Sequence, residues 1–236
     1  MPEPLLTRYL QPLMAGRRAE CFEIINHAIT DGQHADAMIR DVVWPAMTQI
    51  ERLFRSDRIN SAIESMACRI NRTVAAQLQA HLPRKAHNGK RVLVHSACGE
   101  GEEIGAQLVG DLFQADGWEV YFLGGAVPHD EVLTLVGQLR PDVLLIFGTR
   151  PQDVPETRRL IEMVREIGVC SAMNVVVSGG VFNRAEGLWL EIGADVYAES
   201  AKDVLRLANE LRPREANAPR LGIVKKRRRR RRMAAV

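Results

Sequence analysis

Residues 90–130 read KRVLVHSACGEGEEIGAQLVGDLFQADGWEVYFLGGAVPHD, and the fold turns on them. The stretch opens with a short apolar run, Val92, Leu93 and Val94. It passes through a turn of small and acidic residues from Ser96 to Glu103. It then places Ile104, Leu108, Leu112 and Phe113 at helical spacing. That order predicts strand, loop, helix. A second apolar run, Val120 to Leu123, follows Gly117, and a glycine-containing loop then carries His129. Where such strands lie parallel, the loops at their carboxyl ends form the crevice that open parallel sheets use for ligands.

Beyond this stretch the alternation continues. Strands are expected at about Val92 to His95, Val120 to Leu123, Val143 to Phe147, Val175 to Val177 and Asp195 to Tyr197. Helices are expected between them at about Glu102 to Ala115, Asp130 to Leu139, Asp153 to Ile167 and Ala185 to Ile192, with a last one from Ala201 to Leu211. Right-handed crossovers then give a five-stranded, doubly wound parallel sheet in the flavodoxin-like order.

Upstream, Leu5 to Leu82 is helical throughout, with apolar residues recurring at three and four and no strand-like alternation. Gly32 is a helix stop, and a helix from Ala35 to Phe54 is expected to bend near Trp44 because Pro45 lies inside it. The tetrad SAIE fits a capping box of Ser61 and Glu64 at the start of another helix. About four antiparallel helices result. The expected division is a helical bundle over 1–82, a polar linker over 83–89 (PRKAHNG), a Rossmann-like α/β domain over 90–212 and a disordered basic tail over 213–236.

Composition bounds the function. The chain of 236 residues is 46% hydrophobic and 26% charged, an ordinary globular balance. No apolar stretch approaches the roughly 20 residues of a membrane span, and no signal pattern opens the chain, so a cytoplasmic protein with no membrane partner is expected. Four scattered cysteines, Cys21, Cys68, Cys98 and Cys170, argue against a disulfide framework or a structural zinc site. The net charge of +3 conceals the run KKRRRRRR, Lys225 to Arg232; without its eight charges the rest stands near −5. Such a run can contact DNA without reading its sequence.

The first loop, Gly99-Glu100-Gly101-Glu102-Glu103, allows close backbone approach, but its carboxylates oppose a phosphate at the helix N-terminus. A neutral or cationic ligand suits it better. No nucleophile elbow, HExxH or spaced carboxylate pair appears, so no catalytic set is expected.

Residues 90–211 resemble the cobalamin-binding domain family, whose signature runs Asp-x-His-x-x-Gly, Ser-x-Leu and Gly-Gly after the first, third and fourth strands. The corresponding slots read Glu100-x-Glu102-x-x-Gly105, Phe147-Gly148-Thr149 and Ser178-Gly179-Gly180, followed by Gly193-Ala194-Asp195-Val196-Tyr197-Ala198. The helical segment is similar to that family's cap. Light-sensing members present Trp, nine residues, then Glu-His; here the slots hold Phe54 and Glu64-Ser65. The resemblance implies cobalamin as cofactor, as the hydroxo-, aquo- or adenosyl form. It implies contacts from Phe54, Glu64, Ser96, Gly99, Glu100, Gly101, Glu102, Gly105, Gly125, Val127, Gly148, Thr149, Ser178, Gly179 and Gly180.

Glu102 stands where such proteins carry a cobalt-binding histidine, and carboxylate is a poorer donor than imidazole for this metal. His129, at the carboxyl end of the second strand, is the expected axial ligand, with His95 the alternative. A cap and cobalamin module with these departures resembles the AerR/PpaA antirepressors. That resemblance implies a light- or redox-responsive transcriptional regulator of photosynthesis genes, acting through a partner repressor of the CrtJ/PpsR type. The alternatives are a corrinoid methyl-carrier protein of a methyltransferase system and a haem-binding sensor of the same fold.

Overall fold

Pro45 shapes the helical half. A computed structural model describes residues 4–97 and 103–215. Helices α1 (Leu5–Met14) and α2 (Arg18–Thr30) are followed by α3 (Ala35–Met38), a π turn (Ile39–Val43) and α4 (Trp44–Arg55). Proline donates no N–H and its ring crowds the carbonyl four residues back; the widened turn just before it absorbs both effects without ending the helix.

Helix α5 (Ser61–Gln79) begins one residue earlier than a Ser61 capping box requires. Asn60 is the cap, with extended backbone, and its Oδ1 accepts the Ile63 N–H at 3.0 Å. Ser61 already lies inside the first turn. The bundle core gathers Tyr9, Leu13, Ile25, Met38, Ile50, Val74 and Leu78, and extends onto Ile104 and Leu108 of the next domain. Within it Tyr9 donates its hydroxyl to Asn71 Oδ1 at 2.7 Å.

The α/β half runs β1 (Arg91–Ser96), α6 (Ile104–Ala115), β2 (Glu119–Gly124), α7 (His129–Leu139), β3 (Val143–Phe147), α8 (Val154–Ile167) and β4 (Asn174–Ser178). It ends with α9 (Gly180–Arg184), α10 (Leu188–Glu191), β5 (Val196–Ala198) and α11 (Ala201–Glu210). All pairings are parallel and the strand order is β2-β1-β3-β4-β5, the flavodoxin-like order that the alternation predicts. Leu93, Leu144, Ile146, Val175 and Val177 face α7 and α8, while Val92, Val94, Leu145, Phe147 and Val176 face α6 and α11. Strands β3 and β4 are buried along their whole length, hence their unbroken apolar runs.

The helix expected over Ala185 to Ile192 is only the short α10, and a second short helix, α9, precedes it. Gly187 between them has a φ of 77°, a conformation that no helix can carry through. The segment expected as a linker is strapped down: Lys85 N–H donates to Ala115 O at 2.8 Å and Asn88 N–H to Gly117 O at 2.9 Å. At the far edge Arg165 and Arg214 both pair with Asp195, which ties α8 and the start of the basic tail to β5. Lys225 to Arg232 lie outside the described residues.

Candidate functional site

The two halves meet at the carboxyl-terminal rim of the sheet. Crossovers from β1 and β3 depart to opposite faces there, which opens the crevice where α/β sheets hold ligands. The strand ends deliver small residues to it. Gly148 follows β3, and Gly179 follows β4 with φ 108°. A Cβ at Gly179 would lie 2.3 Å from the Gly148 carbonyl oxygen, so only glycine lets these two loops touch. Ser178 is fully buried and donates its hydroxyl to Ala198 O at 2.8 Å, which locks β4 to β5 and leaves the hydroxyl engaged inside the fold.

The loop after β2 is held by an acid that the sequence does not mark out. Glu103 caps the approach to α6 and its Oε1 accepts the Gly125 N–H at 2.5 Å. Gly124 passes beneath that carboxylate, and a Cβ there would lie 2.9 Å from it. Ala126 takes φ 58°, a conformation rare outside glycine. The loop thus sets Gly125, Val127 and His129 in sequence along the rim.

His129 begins α7 directly after Pro128; its side chain is 20% exposed and its Nδ1 lies 3.9 Å from Glu156 Oε2 at the start of α8. His95, at the end of β1, is 5% exposed, and its Nδ1 meets no hydrogen-bond partner in the structure. Burial pushes its pKa down to about 4; a backbone hydrogen bond at Gly124 opposes the shift and nearby His129 adds to it. His95 is therefore neutral at neutral pH, with a nitrogen lone pair or N–H directed into the interior.

From the bundle side, the end where α4 turns into α5 overhangs the rim. Glu51 on α4 pairs with Arg184 of α9 at 2.5 Å, and Arg184 also donates to the Thr149 carbonyl at 2.5 Å. This pair stands over Gly180, where a Cβ would lie 2.5 Å from Arg184 and 2.7 Å from Glu51. Phe54 and Glu64, expected to contact the ligand from above, are both half-buried at that same end of the bundle. Trp44 packs edge-on against Phe147, the last residue of β3, with ring centroids 6.2 Å apart. The sequence singled out neither Glu51 nor Arg184; a helical acid and an arginine four residues after a glycine pair carry no distinctive signal.

Of the residues expected at the site, Gly125, Val127, His129, Gly148, Thr149, Gly179 and Gly180 lie along the rim. Ser96 and Ser178 are buried at the strand ends below it. Gly105 lies in the first turn of α6, against the Phe147 ring. Gly99, Glu100, Gly101 and Glu102 lie outside the described residues. The described residues contain no cluster of three or more His, Cys, Asp or Glu side chains poised for a metal ion, and no described helix is long and apolar enough to cross a membrane.

Residues 90–208 match the family described as B12 binding domain, and residues 5–79 match a second family with the same description. The chain belongs to the B12 binding domain family. As a B12 binding domain protein it takes a cobalamin-type corrinoid as cofactor. Glycines at the ends of β3 and β4 add no side chains of their own to the rim, and His95 Nδ1 is a buried nitrogen with hydrogen-bonding capacity left over for a ligand. Dimethylamine corrinoid protein 3 of Methanosarcina acetivorans is 29% identical over 211 residues, 89% of this chain and 97% of that protein. Dimethylamine corrinoid protein 2 of Methanosarcina mazei is 27% identical over 74% of this chain and 81% of its own length. The structure of the Methanosarcina barkeri monomethylamine corrinoid protein superposes with a TM-score of 0.77, covering 87% of this chain and 97% of that one at 19% identity.

These relatives overturn the antirepressor expectation, and with it the CrtJ/PpsR-type partner and the link to photosynthesis genes. The expectation weighed the loss of a histidine at Glu102 and the basic tail above the cap and domain as a whole. Both features lie outside the described residues, whereas the likeness to named corrinoid proteins runs through the cap and the sheet together.

Proposed function

We propose that this B12 binding domain protein is a corrinoid methyl carrier: it holds the cofactor between cap and rim and presents it to separate enzymes that donate and remove the methyl group. Three features support the reading. The relatives named above are corrinoid proteins matched over most of their length. The cap end of α4 and α5 overhangs the rim through Glu51 and Arg184. The sequence offers no catalytic set of its own, so the chemistry at substrate belongs to partner enzymes.

A bound corrinoid supplies a cobalt centre that takes up and gives up one-carbon groups. The chain's own residues position and shield it. Gly148, Gly179 and Gly180 let the loops after β3 and β4 pack closely into the rim on which the ring would rest, while Phe54 and Glu64 would cover it from the cap. His129 would be the nitrogen donor to cobalt, because it combines a place on the rim with partial exposure, whereas His95 is buried in β1 beside β2. The working division is a cap over 1–82, a linker over 83–89 and the cofactor domain over 90–212.

Titration of the purified protein with hydroxocobalamin, followed by visible absorption after gel filtration, is expected to show one corrinoid retained per chain. After reduction and treatment with methyl iodide, the methyl group is expected to remain with the protein through a second filtration. Absence of stoichiometric uptake refutes corrinoid binding; uptake without retained methyl refutes the carrier role. His129→Ala is expected to retain corrinoid with shifted absorption bands, and unchanged bands would remove His129 from the metal.

A further inference from the structure

Cobalamin is a corrin ring with a long tail that ends in a nucleotide bearing a benzimidazole, a bicyclic aromatic ring. A protein that grips the tail needs a deep slot for that ring, and in this topology the natural slot is the crevice between the ends of β1 and β3. Among the described residues the crevice is already filled. Phe147 ends β3 with 2% exposure and turns its ring toward α6. A Cβ at Gly105 would stand 2.2 Å from its Cζ, so the ring tip rests on the helix backbone itself. Trp44 of the cap closes it from the side, edge to face at 85°. The strands stay zipped above it, because Ala97 N–H donates to the Phe147 carbonyl at 2.8 Å. Next to it, a Cβ at Gly148 would already be 3.1 Å from the Phe182 ring and 3.3 Å from Val181.

Interiors packed this way accept no bicyclic ring without expelling a side chain of similar size. We infer that the chain recognises the corrin ring alone and leaves the nucleotide tail outside the sheet, so that tailless cobinamide is bound as readily as cobalamin. The inference rests on the corrinoid reading above and narrows it to a ligand class: corrinoids without regard to their lower nucleotide. It also assigns Phe147 and Gly105 a specificity role as a matched plug and seat.

The test is a pair of titrations of the wild-type protein, with aquocobalamin and with diaquocobinamide, under one buffer and followed by visible absorption. The dissociation constant for cobinamide is expected to lie no more than about tenfold above that for cobalamin, since a tail without contacts adds no affinity. A cobalamin preference greater than about tenfold overturns the inference while leaving corrinoid binding intact. Failure of both ligands to bind sinks the corrinoid reading and this inference with it. Phe147→Ser, checked for fold by circular dichroism, opens the slot and is expected to raise the preference for cobalamin by about tenfold or more. A folded Phe147→Ser protein with an unchanged preference also overturns the inference. If that variant does not fold, the wild-type ratio decides alone.

Discussion

Asp111 tests the packing between the two halves of the molecule. It lies on α6 facing α5, is 7% exposed, and accepts a hydrogen bond from Gln79 Nε2 at 2.7 Å through Oδ1; its Oδ2 has no partner. Burial pushes its pKa up to about 6. A carboxyl whose folded-state pKa lies above its unfolded value is tolerated best when protonated. Its contribution to stability is therefore fully present below about pH 4 and is lost as the pH rises through about 6. Two pKa units correspond to about 3 kcal/mol, an upper figure because the side chain can turn its free oxygen toward the 7% that water reaches. Asp111→Asn keeps the oxygen facing Gln79 and removes the charge. It is expected to stabilise the protein by about 2 kcal/mol at pH 8 and by little at pH 4, read as the difference in urea unfolding free energies at each pH. Equal effects at both values, or destabilisation at pH 8, would show that the carboxylate is not a buried charge.

Two further substitutions probe the cap and the rim. Tyr9→Phe removes the hydroxyl that satisfies buried Asn71 and is expected to cost about 1–3 kcal/mol in chemical denaturation, with corrinoid uptake unchanged; a cost near zero would mean the pair is not formed. Gly179→Ala forces an alanine to φ 108° with its Cβ against the Gly148 carbonyl. It is expected to cost roughly 2–4 kcal/mol in thermal unfolding and to weaken corrinoid retention; a fully stable, fully loaded variant would contradict the contact between these loops.

The difference between an antirepressor and a carrier shows how a local departure can outweigh a global pattern. Glu102 in place of a histidine reads as a change of role only if that loop must supply the metal ligand. His129 stands at the start of α7, just after the loop that the contact between Glu103 and Gly125 holds, and under the function proposed above a donor from there would leave the carrier architecture whole.

The sequence by itself determined the element order, the parallel sheet and its strand order, because apolar periodicity and glycine breaks are local signals that short strands and crossovers must obey. It also marked the glycines at the strand ends and the cofactor class. Other features could be decided only by the tertiary structure. Asn60 rather than Ser61 caps α5 because the backbone turn, not the tetrad, selects the acceptor. The π turn before Pro45 depends on the bundle around it, which keeps the helix running. The contact of Glu51 with Arg184, 133 residues apart, and the seating of Phe147 on Gly105 have no trace in any local window. Such contacts arise where separate elements converge, and periodicity carries no information about which side chains then meet.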